Sequence, residues 1–491
     1  MALRLTNTLG GALEEFQPLE PGRVGMYSCG PTVYGPTHIG NFRSFVFFDL
    51  VRRYLGWLGY DLTWVMNITD VDDRIIRDLA EQQIGLEELT RPHIERFLAD
   101  LDTLRITRPD VMPRATEHIP EMAALIAALL EKGHAYRTDD GSIFFRIASW
   151  PAYGRLARLD PEELRVGGRV EADDYGKDDV RDFALWKGPK PGEPSWSTEV
   201  GEGRPGWHIE CSAMSTRYLG PSFDLHTGGV DLIFPHHEDE IAQSEAATGQ
   251  PFVRTWLHSA HLQLAGARMA RREGNIARVG DVIEDGWSAR ALRYALLATH
   301  YRAPIEYSEQ LLENATAAVE RLSTALAALD RYEQEGADDP ELPHLLQDAR
   351  EAFQRGLDDD LNVSSALAAV FDLVRELNRR VDARSLSTAD AARGAALLRD
   401  LDRVLAVAEE EEAPLRAELS ALLDQRAAAR ATRDWAASDR LRDELAAQGV
   451  AVEDTRDGQR WRRVVGPVAV TGGRGSDGGS GGSGGDGGRD G

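Results

Sequence analysis

Lysine is nearly absent from this sequence: only Lys132, Lys177, Lys187 and Lys190 stand among 56 lysines and arginines. Arginine holds almost every other cationic position. Cysteine is scarcer still, with Cys29 and Cys211 far apart in the chain. Two cysteines exclude a disulfide-stapled scaffold. In a reducing compartment they are either buried apolar residues or ligands and nucleophiles. No apolar run has membrane-spanning length, and no charged start leads into an apolar stretch and a cleavage site, so a soluble, cytoplasmic chain without a membrane partner is expected. A positive balance is missing too. The net charge of −25 argues mildly against a nucleic-acid partner, because phosphate contacts need local positive charge. It does not exclude one, since net charge says little about a single face.

The 491 residues suggest about three domains. Residues 1–20 read as a lead-in. In "GRVGMYSCGPTVYGPTHIGNFRSFVFFDLVRRYLGWLGYDLTWVMNITDVDD" the apolar "VGMYSC" predicts a strand and "GPTVYGPTHIGN" a loop. "FRSFVFFDLVRRYLGWLG" has helical spacing, and "DLTWVMNIT" is a second strand. Strand, loop, helix and strand in that order predict a βαβ unit of a parallel sheet, whose ligands sit at the carboxyl ends of the strands. Cys29 and Thr69 both fall there. Residues from about 95 to 205 lack the βα rhythm and read as an insertion within a sheet domain over 21–310. Residues 311–415 carry apolar positions at i, i+3, i+4 and i+7 and predict a helical bundle. A small charged module covers 416–466, and the Gly-rich 467–491 is expected to be disordered.

"FPHHEDE" puts His236 and Glu240 four residues apart, on one face of a helix that starts here. His237 and Glu240, three apart, would also share a face. Two thiolates, an imidazole and a carboxylate suit tetrahedral zinc, but only the fold can bring Cys29 and Cys211 to this helix. The alternative is a solvated His/Glu helix start.

Taken together, "YSCGPTVYGPTHIGN", "MNITDVDDRII", "GWHIECSAM", "FDLHTGGVDLIFPHHEDEIAQSEA", "WLHSAHL" and "RMARREGN" resemble the cysteinyl-tRNA synthetases, a class I aminoacyl-tRNA synthetase family. The resemblance is collinear, continues through "DDDLNVSSALAAVFDLVRELN" and "QRAAARATRDWAASDRLRDELAAQGVAVEDT", and covers all but the Gly-rich tail. It implies a Rossmann-like parallel-sheet catalytic domain with a connective insertion, then a helical bundle and a C-terminal anticodon-binding module. It implies ATP, L-cysteine and tRNA(Cys) as substrates, one Zn²⁺ per chain, Mg²⁺ with ATP, and a monomer.

By the same resemblance the zinc ligands are Cys29, Cys211, His236 and Glu240, and the zinc takes the substrate thiolate, a soft ligand that a serine hydroxyl does not match. Thr69, Trp207 and His226 come near the amino acid. "HIGN" supplies His38, Gly40 and Asn41 to ATP, with asparagine in the last place of the class I "HIGH" signature. "GGVD" supplies Gly229 and Asp231 to the ribose. The family's mobile "KMSKS" loop stands here as Arg268, Met269, Ala270, Arg271 and Arg272. Both lysines are arginine and both serines are gone. Arginine keeps the charge and grips phosphate with two donors, and the chain-wide scarcity of lysine favours drift over decay. "RIIR" at 74–77 likewise replaces a lysine segment with which some relatives make cysteine persulfide using pyridoxal phosphate. Arginine does not readily form that Schiff base, so this side activity is expected to be absent or weak.

The terminal module places Arg430, Asp439 and Asp454 where anticodon bases are read, with Trp435 and Trp461 nearby. Stacking and hydrogen bonds on splayed bases are the usual mode for single-stranded RNA, against the plainer reading of a solvated helix with charge pairs. Two rival functions remain in view. A non-catalytic paralogue would bind tRNA or cysteine without making the adenylate. A cysteine ligase of the mycothiol type would share the front of the chain but not the terminal module.

Overall fold

The computed structural model describes residues 2–159, 181–264, 266–269, 276–408, 417–448, 450–455 and 458–463. The chain forms two compact units, residues 1–411 and 412–491. No helix among the described residues is long and apolar enough to cross a membrane.

The first residues are more than a lead-in. Strands β1 (Arg4–Asn7) and β2 (Ala12–Glu15) pair antiparallel, and Asn7 ties the hairpin to the neighbouring chain by donating from Nδ2 to the Arg254 carbonyl at 3.0 Å. The predicted βαβ unit follows as β3 (Arg23–Ser28), α1 (Ile39–Trp57) and β4 (Asp61–Met66). Helix α1 begins three residues before the apolar spacing indicates. His38 and Asn41 make a capping box there, which starts the helix in spite of Gly40. The first-turn N–H groups of α1 therefore belong to the "HIGN" segment itself.

Helices α2 (Asp73–Gln82), α3 (Leu86–Thr103) and α4 (Ile119–Glu131) follow. The expected insertion contains an antiparallel sheet: β5 (Ala135–Arg137), β6 (Ile143–Phe145), β7 (Phe183–Lys187), β8 (Trp196–Thr198) and β9 (Gly201–Pro205), in the order β5-β6-β7-β9-β8. The chain then returns to the first sheet through α5 (Trp207–Leu219), β10 (Phe223–Gly229), α6 (Glu238–Thr248) and β11 (Val253–Ser259). The central sheet runs β11-β10-β3-β4 with every pair parallel. The α/β architecture is the one expected.

Short strands β12 (Leu262–Leu264) and β13 (Ala267–Arg268), helices α7 (Val279–Glu284) and α8 (Ala289–Leu297), and strand β14 (Ile305–Glu306) close this part. Four long helices follow as the periodicity predicts: α9 (Glu309–Asp330), α10 (Leu342–Asp358), α11 (Val363–Asp382) and α12 (Thr388–Leu405). One apolar core runs from Phe42, Phe45 and Phe48 of α1 into Leu322, Phe353, Leu373 and Leu401 of these helices. Asp49 of α1 and Arg293 of α8 are fully buried within it and pair at 2.6 Å.

The second unit contains α13 (Ala417–Ala431), α14 (Trp435–Ala447) and the hairpin β15 (Val450–Thr455) and β16 (Gly458–Arg463). Leu419, Leu423, Leu445 and Val450 form its small core. The tail over 467–491 lies outside the described residues.

Candidate functional site

Candidate side chains gather at the carboxyl ends of β3, β4 and β10, where parallel sheets place their ligands. Cys29 follows β3, Thr69 follows β4, and His226 lies on β10. Cys211 comes from α5, His236 from the turn before α6, and Glu240 from the first turn of α6. All six are buried.

The two sulfurs are 3.8 Å apart, too far for a disulfide. Tetrahedral zinc with two sulfur ligands at about 2.3 Å sets an edge of about 3.8 Å. Glu240 Oε1 lies 3.7 Å from Cys29 Sγ and 3.0 Å from His236 Nε2. One ligand atom from each of Cys29, Cys211, His236 and Glu240 falls within 4.8 Å of the others. A second set, Cys29, His226, His237 and Glu240, meets the same limit. The two share Cys29 and Glu240. They differ in offering a second thiolate or a second imidazole, and a pair of thiolates is the softer set for zinc.

The charges suit cation binding. Burial pushes the Cys29 thiol up, and Cys211 and Glu240 push it further. Burial also raises Cys211, but the Cys29 thiol and the imidazolium of His236 bring it down to about 6. Burial opposes charge on His236, yet Glu240 and Cys211 hold it at about 10. Glu240 is brought down to about 2 against its burial by His226 and His236.

A second ring of histidines surrounds it. His226 Nε2 is 2.9 Å from Glu240 Oε2. His237 bridges from Cys29 Sγ at 3.2 Å to His258 at 2.7 Å, and His258 reaches the Thr8 hydroxyl at 2.7 Å. His208 is 2.9 Å from His236. Burial drives His237 and His208 well below the usual imidazole range and His258 to about 3, so these three stay neutral. Hydrogen-bonded outer partners of this kind orient metal ligands. Spacing offers His237 as an alternative to His236 on the face of Glu240, but gives no role to His208 or His258. The signal was their place inside "GWHIEC", "FPHHEDE" and "WLHSAHL".

Three residues predicted near the amino acid surround this cluster. Thr69 is buried, its hydroxyl accepting from Asn67 Nδ2 at 3.0 Å. Trp207 opens α5 and stacks on His236, ring centroids 4.2 Å apart. Tyr27 and Glu210, which sequence reasoning missed, are also buried beside it, and Thr69 lies against the Glu210 carboxylate. Burial, with Cys211, Asp72 and Asp70 close by, raises the Glu210 carboxyl well above its ordinary value.

The phosphate-loop candidates meet at the start of α1. His38 caps the helix, and Asn41 Oδ1 accepts from the His38 N–H at 3.4 Å. A Cβ on Gly40 would lie 2.9 Å from His38 Nδ1 and 3.3 Å from Met269 Cβ. "HIGN" and "RMARR" therefore touch through a position that glycine keeps open. Gly229 ends β10, and Asp231 follows it, with Oδ1 4.0 Å from His261 Nδ1. Arg268 closes β13, but its side chain and the whole of Arg271 lie outside the described residues. In the second unit, Arg430 stacks over the exposed ring of Trp435, 5.4 Å from its centroid. Asp439 pairs with Arg442 at 3.0 Å, and Asp454 sits opposite Gln459 in the hairpin. The side chains of Asp454 and Trp461 lie outside the described residues.

Residues 15–317 match the family of tRNA synthetases class I (C) catalytic domains, residues 352–409 the DALR domain, and residues 412–462 the cysteinyl-tRNA ligase anticodon-binding domain. The chain is 48% identical to the cysteine–tRNA ligase of Symbiobacterium thermophilum, over 94% of this chain and all of the relative. It is 47% identical to that of Halorhodospira halophila, over 94% of this chain and 99% of the relative. Among solved structures it resembles Mycobacterium tuberculosis methionyl-tRNA synthetase in complex with methionyl-adenylate, with a TM-score of 0.56 and 17% identity over 85% of this chain and 96% of that one. It also resembles the LeuRS of Agrobacterium radiobacter K84, with a TM-score of 0.58 and 13% identity over 80% and 85%. These last two likenesses speak for the fold alone. The match through the terminal module to nearly the full length of both ligases carries the conclusion: the chain belongs to the cysteine–tRNA ligase family of class I tRNA synthetases.

Proposed function

We propose that this chain activates L-cysteine with ATP and transfers the cysteinyl group to tRNA(Cys), with Cys29, Cys211, His236 and Glu240 holding one zinc ion. The observation that carries the reading is the convergence of four ligand atoms from β3, α5 and α6 on one buried point at the carboxyl ends of the sheet. Bound there, zinc supplies a soft acceptor for the substrate thiolate, which a serine hydroxyl does not match.

The protein's own groups do the rest by placement. Thr69, Trp207 and His226 line the amino-acid pocket. The start of α1 meets the triphosphate with the positive end of the helix dipole, through the Gly40 N–H and the side chains of His38 and Asn41. Gly229 and Asp231 take the ribose, and Arg268 and Arg271 hold the phosphates with Mg²⁺. The cysteine carboxylate attacks the α-phosphorus, the bond to the β-phosphate breaks, and pyrophosphate leaves. The terminal hydroxyl of the tRNA then attacks the carbonyl and AMP leaves. No protein nucleophile is needed, because positioning and charge stabilisation carry phosphoryl transfer. Arg430, Trp435, Asp439 and Asp454 read the anticodon, with the Trp435 ring exposed for stacking.

The test is cysteine-dependent exchange of pyrophosphate into ATP, without tRNA, on zinc-loaded chain and on Cys211→Ala. The chain is expected to exchange. Cys211→Ala is expected to lose metal affinity by more than the roughly 10–100-fold typical of an outer partner, and exchange with it. Full exchange by metal-free Cys211→Ala would overturn the zinc assignment. No exchange by a zinc-loaded chain that binds cysteine would favour a non-catalytic role.

A further inference from the structure

At the far end of α1 from "HIGN" lies an open cleft of about 340 Å³, lined by Arg52, Arg53, Gly56, Trp57, Thr107 and Arg403. Nineteen helical residues separate the two ends, about 28 Å at 1.5 Å per residue. Half of the lining is arginine and none of it is carboxylate, in a chain of net charge −25.

The three guanidiniums are not equivalent. Arg53 is saturated: Nε donates to Asp49 at 2.7 Å, Nη1 to the Arg403 carbonyl at 3.1 Å, and Nη2 to the Arg105 carbonyl at 2.8 Å. Its role is structural, tying α1 to the chain at Arg105 and Arg403 through these acceptors. Arg403 lies in the last turn of α12, where a cation offsets the negative helix end, but neither it nor Arg52 is saturated as Arg53 is. The Arg52 guanidinium comes no nearer than 3.7 Å to Asp110, and its Nε is buried without an acceptor. Arg403 donates from Nη1 alone to Asp400 Oδ1, at 3.2 Å, while Arg350 and Trp57 Nε1 hold Oδ2 of that carboxylate at 2.7 and 3.1 Å. Gly56 leaves the floor open: within 4 Å, a Cβ there would meet only Arg52 Nη1, at 3.9 Å.

We propose that this cleft is a second phosphate-binding site, in which Arg52 and Arg403 grip the oxygens against the fixed charge of Arg53. Guanidinium forks match phosphate oxygens in geometry as well as charge. Two sources offer that chemistry, a free phosphate ion and a phosphodiester of bound tRNA.

The test uses the full chain, an Arg52→Gln/Arg403→Gln double variant, and Gly56→Glu, which puts a carboxylate into the cleft at a helical position that tolerates a side chain. Inorganic phosphate is titrated by calorimetry, and tRNA(Cys) affinity is measured across a salt series. If free phosphate is the ligand, both variants weaken its binding about tenfold or more, while cysteine-dependent exchange stays within about twofold. If the ligand is a tRNA phosphodiester, phosphate titrations stay alike but tRNA binds more weakly, and the salt slope falls by roughly one to two. Variants that bind both probes as the unaltered chain does would overturn the proposal.

Discussion

Trp207 and His236 lie face to face, with ring centroids 4.2 Å apart and planes 23° from parallel. Trp207 keeps 38% of its surface exposed, whereas His236 keeps 1%. The indole therefore screens the imidazole from water, and with it the buried charges of Glu240 and Cys211, which interact more strongly where the dielectric is low. Trp207→Ala is expected to raise KM for cysteine about tenfold while KM for ATP moves less than about twofold. Exchange kinetics at varied cysteine and varied ATP separate the two. An unchanged KM for cysteine would take Trp207 out of the pocket.

Gly40→Ala sets stability against activity. Position 40 is helical, so alanine is worth about 1 kcal/mol more than glycine on propensity alone. The new Cβ would crowd His38 Nδ1 and Met269 Cβ, pushing apart the two segments proposed to enclose the triphosphate. The expected result is an unchanged or higher melting temperature with KM for ATP raised roughly tenfold or more, since small misplacements of a bound group cost about 10²-fold in rate. A stable variant with the original KM for ATP would show that the contact does not shape the site.

The sequence showed most of this fold because its signals are local. The short apolar run in "VGMYSC" and the helical spacing in "FRSFVFFDLVRRYLGWLG" each identify their element. The hairpin over residues 4–15 was not legible: β2 is exposed along its length, so its alternation carries no burial signal. The cluster was legible only in part. His236 and Glu240 share a helix face by spacing, but Cys29 and Cys211 are 182 residues apart and only the sheet brings them together. The His258–His237–Cys29 chain was hidden for the same reason. Glu210 was hidden because nothing in "HIEC" says that its carboxylate points into the protein instead of solvent.

Asp49 and Arg293 predict an acid-dependent loss of stability. Burial opposes charge on Asp49, but Arg293, Arg53 and the Thr107 N–H outweigh it and hold the carboxyl below its ordinary value. Burial also lowers the Arg293 guanidinium, which still stays protonated, because arginine titrates far above neutrality. A carboxyl depressed in the fold contributes stability in full above its unfolded value of about 3.9 and loses it as pH falls through the folded value. The pair therefore holds across neutral pH and fails only in strong acid. Asp49→Asn leaves Arg293 buried without its anion and is expected to cost about 3–5 kcal/mol at pH 7. Denaturant titrations at pH 7 and below pH 4 check this. The gap between the two proteins should narrow in acid, and a constant gap would mean that the lost interaction was not the ionised pair.

The arginine loop yields the sharpest prediction about chemistry. Arg268→Ala and Arg271→Ala are each expected to lower exchange about 10²-fold, the scale of removing one charged donor from a developing phosphate charge. Lysine at the same positions separates two ways of acting. Lysine is a point charge, while arginine presents a planar fork. If charge alone is needed, Arg271→Lys recovers most of the rate. If this chain has rebuilt the loop around two-donor contacts, lysine leaves kcat low even at saturating ATP. Alanine variants with undiminished exchange would mean that α1's first turn holds the triphosphate alone. The replacement of both family lysines would then reflect a loop freed from that duty, not one adapted to perform it with arginine.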